Sequence, residues 1–481
     1  LIQFRHIVKE FDGQVVLKGI DTDIYTSSIE AGKNIDLSTT GTAGITIDED
    51  TLSANGYIRL DSAQGLNINK NVTASDYVEL IANNGSVLLN SVISGTDIAV
   101  SATDGVTQTG GELLSSGVNG VTVSNSASGG ITLTDVTAQN GNISVANNAS
   151  GDADVVLGTL SAGGNIDVVN NANGELILND TLTGSDISLT SQRNIVQTTD
   201  KLAVKASNNL TLSAGDSIGT QSQSLIVNAG KDVSLEASDI YLESPDSDLN
   251  IVSINANRED KSLGVVRILT DGTTGDITLG DSLIADEISI QSAGAVNAMD
   301  NLSANTVLIT ANDNILTNGN VTAQDDISVL GGSITQNVNT TISSQNGDIS
   351  LSAMNGDITL NGDVSSTNGR VSVSNTSTGN ASVTVNNVSA GDFFAISNNA
   401  DGLVTVNGTL TGGNNSLLNA QNSGSESGII VSENAVINSN GTFSMYNAGD
   451  KGIVLDGKIN NAQTEGSSVT VVNDKGSLHI K

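Results

Sequence analysis

The sequence predicts an all-β fold, a right-handed parallel β-helix of about 20–25 residues per coil. Three observations carry it: one phrase recurs along almost the whole chain, apolar residues within the phrase alternate with small polar ones, and the composition offers many aliphatic side chains but few rings.

The phrase is a Gly-led aliphatic strand, a short polar step, a second aliphatic touch, then a Gly/Asn/Asp turn and another strand. It reads GITIDEDTLSANGYIRL at 44–60, GSVLLNSVISGTDIAV at 85–100, GITLTDVTAQNGNISV at 130–145 and GDITLGDSLIADEISI at 275–290, with further copies to 402–418. The steadiest register is late, where Gly347, Gly369, Gly391 and Gly413 follow one another at 22 residues and Asp325 stands 22 before the first, in the same predicted slot. Such a period signals a solenoid. Helical repeats are excluded because Gly, Asn, Ser, Thr and Val pervade the unit without apolar residues at i, i+3, i+4 and i+7. Leucine-rich repeats are excluded because their consensus never recurs.

The alternation has period two: Ile131 and Leu133, Ile143 and Val145, Ile187 and Leu189, Ile277 and Leu279, with Thr or Ser nearby. These are strands with one buried face. Between them Asn140-Gly141, Asn355-Gly356 and Gly163-Gly164 read as sharp corners that use positive φ. Such corners also suit antiparallel hairpins. The coil is preferred because the unit repeats whole at one length, whereas a row of β-sandwiches would repeat at about 100 residues around a more aromatic core.

Composition agrees. At 481 residues the chain is long for one compact core and must divide or grow along an axis. Hydrophobic residues make up 37 % but aromatics only 2 %, with no Trp and Pro245 the single proline. Rings fill thick, irregular cores, so a narrow bore of Ile, Val, Leu and Ala is indicated. Roughly 450 residues in such coils would make about 20 turns and a length of about 100 Å.

The formal charge is −34, from 18 Lys+Arg against 52 Asp+Glu, which leaves no basic stripe for phosphates and argues against a nucleic-acid partner. An acidic surface instead keeps a long repetitive molecule soluble. There is no cysteine, hence no disulfide or thiolate metal site. No signal-like or membrane-spanning apolar run is present. The chain opens on Leu1 and reads as an internal fragment.

Residues 1–24, LIQFRHIVKEFDGQVVLKGIDTDI, differ in character: they hold Phe4, Phe11, His6, Arg5, Lys9 and Lys18. Ile2 to Val8 and Val15 to Ile20 read as two strands joined by a turn at Asp12-Gly13, a hairpin. The stretch resembles the opening of an ABC-transporter ATP-binding subunit of the polyamine-importer type. That resemblance implies that Phe11 stacks on adenine, but it stops before the phosphate loop. Gly32-Lys33, Gly230-Lys231 and Gly457-Lys458 are each followed by a residue other than Ser or Thr, so nothing cradles a triphosphate. The segment reads as a fusion or assembly scar, or else as a cap, ahead of a β-helical shaft over residues 25–481.

Two places break the rhythm. Residues 241–272 concentrate charge (Asp246, Asp248, Arg258, Glu259, Asp260, Lys261) around Pro245 and read as a projecting loop or an imperfect coil. At Phe393-Phe394 one ring is expected in the bore and the other outside.

Catalysis is not favoured. Histidine, the residue type suited to proton transfer near neutral pH, occurs only as His6 and His479, both near the chain ends. The carboxylate pairs Asp325 with Asp326, Asp246 with Asp248, and Asp152 with Asp154 lack the rings or Arg that hold a sugar for hydrolysis. Asp48-Glu49-Asp50 supplies hard oxygens suited to calcium, without the G-G-x-G-x-D signature. No catalytic, cofactor-binding or metal-binding residue is therefore assigned, and no cofactor.

With G-x-I-x-Φ and N-G-x-I-x-Φ turns in Asn/Ser/Thr/Gly-rich, cysteine-free sequence, residues 30–481 resemble the shafts of filamentous-haemagglutinin-like exoproteins and other large bacterial adhesins. The resemblance implies export by an outer-membrane secretion partner, display at the cell surface, and attachment or biofilm formation through a receptor or glycan on a host or neighbouring cell. A β-helical polysaccharide lyase or hydrolase, and a phage tail-fibre-like carbohydrate-binding protein, are the alternatives.

Overall fold

The computed structural model describes residues 2–4, 13–26, 29–245, 247–256, 263–413, 415–462 and 466–481. Among them there is no helix, and the strands pair in parallel through about 21 coils of about 22 residues, the parallel β-helix that the repeat predicts. The chain divides into two compact units, Leu1–Leu242 and Glu243–Lys481.

Alternation alone would suit a hairpin equally well; the repeat length decides against it. Each strand lies beside its own equivalent one repeat away, so Val78 pairs with Ile58 on one side and Ile98 on the other. In the first unit the column Ile35, Ile58, Val78, Ile98, Val121, Ile143, Ile166, Ile187, Leu210 and Val233 runs along one wall with every member buried. Burying each such side chain is worth about 1.5–3 kcal/mol, against about 1–2 kcal/mol of backbone entropy per ordered residue. A coil is therefore held by its neighbours rather than by itself. One such coil comprises Val78–Ala82, Val87–Leu89 and Ile93–Gly95, one longer strand and two short ones.

Glycine serves the corners for a reason other than the predicted one. Gly141, Gly163, Gly164 and Gly356 do not have positive φ. Coils stack at about 4.8 Å, and at that spacing a Cβ on Gly163 would strike the Gln139 carbonyl and one on Gly164 the Asn142 side chain. Close approach of the neighbouring coil, not backbone handedness, requires glycine there. Gly120 needs both, with φ of 83° and the Asn142 backbone against it.

The late glycine register also needs correction. Ile327, Ile349 and Val371 pair in steps of 22, so Asp325, Gly347 and Gly369 do share a slot. Val371 then pairs with Phe394, a step of 23, which puts Asp392 rather than Gly391 in that slot, and the Asp392 amide accordingly donates to the Gly369 carbonyl. The predicted constant period ignored the extra residue of this coil. Spacing in the second unit ranges from 19 residues (Ile288 to Val307) to 28 (Leu249 to Ile277), with the length absorbed at corners.

The predicted hairpin at the start is not formed between its described strands. Ile2–Phe4 pairs in parallel with Ile24–Thr26, while Val15–Ile20 pairs in parallel with Ile35–Thr39, in the other sheet. Each strand finds a match of its own pattern one coil later, which a hairpin would forgo. His6 and Phe11 lie outside the described residues.

Around Pro245 the described residues are strands: Asp239–Pro245, Leu249–Asn255 and Val265–Asp271. Leu249 pairs with Ile277, a step of 28, so this coil is longer than most, and the charged stretch expected to project as a loop or to form an imperfect coil falls partly outside the described residues. Asp246 and residues 257–262 lie outside the described residues.

Inside the bore a row of asparagines was not anticipated. Asn125, Asn147 and Asn170 are fully buried at successive coils; Asn125 Nδ2 donates to Asn147 Oδ1 (2.9 Å) and Asn147 Nδ2 to Asn170 Oδ1 (3.1 Å). Their remaining amide protons reach corner carbonyls, among them those of Ser128 and Glu175. Burying an amide costs free energy unless it is bonded, and stacking identical amides satisfies each with the next. Parity pointed to this: Ile143, Val145 and Asn147 occupy alternate positions of one strand.

Candidate functional site

Of the paired carboxylates that the sequence singled out, Asp152, Asp154, Asp248 and Asp326 are engaged in holding coil to coil. Asp154 Oδ1 accepts the Glu175 amide at 2.8 Å, Asp248 Oδ1 the Asp276 amide at 2.9 Å, and Asp326 Oδ1 the Asp348 amide at 2.7 Å. Asp152 accepts from the Asn173 side chain at 2.7 Å. The same device recurs with Asn34, Asn142, Asn165, Asp186, Asp276, Asn320 and Asp348, each accepting a main-chain N–H from the following coil. At a corner the strand ladder lapses, and a short Asx side chain completes it. Much of the Asn and Asp content thus has a structural use. In the Asp48-Glu49-Asp50 turn, Asp48 accepts from Asn69 and Asp50 from the Thr51 amide. Among the described residues no group of three or more His, Asp or Glu is placed to hold a metal ion. His479 lies on the final strand with Nε2 3.6 Å from Asp456 Oδ1.

A different cluster stands on the outer wall near the start of the first unit. The column before the long strands runs Asn34, Tyr57, Tyr77, Asp97 and Gly120, and the next outward column runs Asp36, Arg59, Glu79, Ala99 and Thr122. One coil of spacing suits face-to-face rings: the Tyr57 and Tyr77 centroids are 4.9 Å apart and their planes within 9°. Beside them an ion-pair row runs up the wall. Lys18 Nζ lies 2.7 Å from Asp36, Arg59 donates to Asp61 at 3.0 Å, and Arg59 Nε sits 3.0 Å from Glu79 Oε2 without the alignment of a hydrogen bond. The bond to Asp36 holds the Lys18 ammonium above its usual range. Partial burial, then the neighbouring Tyr57, Glu79 and Asp76, push the Tyr77 hydroxyl up, so it stays a neutral donor.

Beyond Tyr77 both columns shrink, to Asp97 and Gly120 in one and Ala99 in the other. The result is a groove of about 390 Å³ walled by Tyr77 and Glu79, floored by Val78, Ile98 and Ala99, and closed by Asp97, Asn119, Gly120 and Thr122. Tyr57 covers one face of the Tyr77 ring, and the groove lies on the Tyr77 side of the stack. Asp97 is fully engaged, accepting the Asn119 amide (3.1 Å), the Gly120 amide (3.2 Å) and Asn119 Nδ2 (2.9 Å). A second groove, of about 600 Å³, lies in the other unit against Leu263, Asn305, Thr322, Gln324, Ser343, Gln345 and Thr367; among the described residues its lining carries no charge and no ring.

Sequence reasoning missed the tyrosine wall. The signal was present: Tyr57 and Tyr77 occur at the same offset before Ile58 and Val78 in successive coils. Aromatic residues counted over a whole chain conceal their concentration in two adjacent coils. No helix among the described residues is long and apolar enough to cross a membrane. No protein-family model, curated protein or solved structure matches the chain.

Proposed function

We propose that this chain is part of the shaft of a large adhesive protein displayed on a bacterial surface, where it mediates attachment or biofilm formation. The observation that carries this reading is the use to which the acidic and amide side chains are put: coil after coil, they complete the main-chain ladder instead of converging on a reaction centre. A shaft needs a surface that repeats and a core that tolerates indefinite extension, and both follow from stacked equivalents. The aliphatic bore and the acidic exterior support the same use. A partner on the host or neighbouring cell and an outer-membrane export partner for the parent protein belong to this proposal.

Two experiments test it. Antibody raised against the purified chain should label intact cells of the source organism, and the label should vanish after mild surface proteolysis. The purified chain should adhere to cells or biofilm matrix while releasing no product from neutral or acidic polysaccharides. Depolymerisation would replace this reading with a lyase or hydrolase, and a stable trimer in sedimentation would favour a tail-fibre-like protein.

A further inference from the structure

We infer that the groove beside Tyr77 is a binding subsite for a neutral saccharide ring. Such a site would supply the attachment proposed above and rests on that reading for its biological role, though its chemistry stands by itself.

The ring of Tyr77 has its position fixed on one side by Tyr57, stacked at 4.9 Å. An outward tyrosine alone on a strand would be free to change rotamer; a stacked pair is held, with one open face left to a ligand. Next to that face the floor falls away because Ala99 stands where Arg59 and Glu79 project in the two preceding coils. Gly120 keeps the far edge low, and no larger residue fits there, since a Cβ would collide with the Asn142 main chain. The volume of about 390 Å³ lies within the range of small-molecule sites, with an apolar surface and a few polar groups at its rim. The apolar C–H face of a pyranose matches an aromatic platform of this kind, while its hydroxyls match the rim: the Tyr77 hydroxyl as donor, a Glu79 oxygen as acceptor, and the Thr122 hydroxyl as either.

The charge of the ligand follows from what surrounds the groove. Among the described residues at the groove, Asp76, Glu79 and Asp97 are opposed by Arg59 alone, and Arg59 already serves Asp61 and Glu79. None of these described residues leaves a guanidinium or ammonium to meet a carboxylate, sulfate or phosphate, so uronic, sialylated and sulfated sugars are disfavoured. The site is also unsuited to glycosidic cleavage, because its two carboxylates are both engaged, Glu79 by Arg59 and Asp97 by three donors.

The test uses the full chain on an array of neutral, uronic and sialylated oligosaccharides, followed by calorimetric titration with the best neutral binder. Wild type should retain neutral glycans and ignore acidic ones. Tyr77→Ala should weaken binding about tenfold, the scale of one aromatic contact, whereas Tyr77→Phe should keep most of it. Ala99→Leu, which raises the floor without touching a polar group, should abolish binding, and circular dichroism should show all three variants folded. Absence of any neutral-glycan binding by wild type, or binding that survives both Tyr77→Ala and Ala99→Leu, overturns the subsite. Either result leaves the shaft reading standing, because cell-surface labelling and the lack of turnover are measured separately.

Discussion

Two pairs of rings from nearby coils, one in each unit, are used in opposite ways. Tyr57 and Tyr77 lie on the outer wall, stacked with nearly parallel planes, with polar neighbours and an open groove beside them. Phe394 and Phe443 lie in the bore of the second unit, fully buried, with centroids 6.1 Å apart and planes tilted by 51°. Two coils separate these phenylalanines, and the slot between them is taken by Ser416, small enough to let the rings approach. Of the rings of Phe393 and Phe394, one was expected outside, and it is Phe393, which lies beneath the Arg370 guanidinium at 5.7 Å. One step along the strand, therefore, decides whether a ring stabilises the coil or is offered to a ligand.

The largest effect that should separate the two pairs is Phe394→Ala. It leaves a cavity in a narrow bore, and a loss of about 3–5 kcal/mol is expected in urea unfolding, with glycan binding in the other unit unchanged. Tyr77→Ala should show the reverse, a stability change within about 0.5 kcal/mol and binding weakened about tenfold. If the two variants lowered stability equally, the distinction between inner and outer rings would fail.

Next in size is the asparagine row. Asn147→Leu removes one amide between Asn125 and Asn170 and leaves buried partners unpaired, at a cost of about 1–3 kcal/mol by the same measurement. A neutral or stabilising outcome would mean that the bore accepts any residue of similar volume at that corner. Asp154→Ala, which takes one acceptor from the Glu175 amide at an exposed corner, should cost about 1 kcal/mol and affect no activity.

The smallest expected effect is electrostatic. Hydrogen bonds from the Arg370 side chain and amide hold the Asp348 carboxyl below its ordinary value of 3.8. A carboxylate with a lowered folded value contributes stability that is fully present above the ordinary value and is lost as pH falls through the lowered one. Asp348→Asn should therefore lower stability slightly above about pH 4, flatten the acid limb by that same amount and converge with wild type at the acid end, the whole effect being small because the pair is well exposed and screened. An acid limb identical to wild type would show that the pair adds nothing.

Much of this was legible in the residues themselves. Ile143 and Val145 announced a strand with one buried face, and the recurring phrase announced that its partner would be its own equivalent one coil away. Parity also required that Phe393 and Phe394 face opposite ways, and the structure puts Phe394 inside. Other features were not legible, for physical reasons. The sequence shows that Gly163 is glycine but not that the Gln139 carbonyl approaches it; Asp154 and Asp326 look like free acids until the next coil's amide is seen beneath them. The slip from Gly391 to Asp392 came from one added residue, which alters register without altering pattern.

By itself, then, the order of residues determined the class of fold, the direction in which each side chain faces and the aliphatic nature of the bore, since these depend on alternation and repetition within one strand and its copy. Only the tertiary structure decided which carboxylates are spent on the ladder, where asparagines stack inside, and that Ala99 and Gly120 open a recess beside Tyr77. Those facts belong to pairs of residues some 20 positions apart, and what a side chain meets across a coil is set by the register of both coils together.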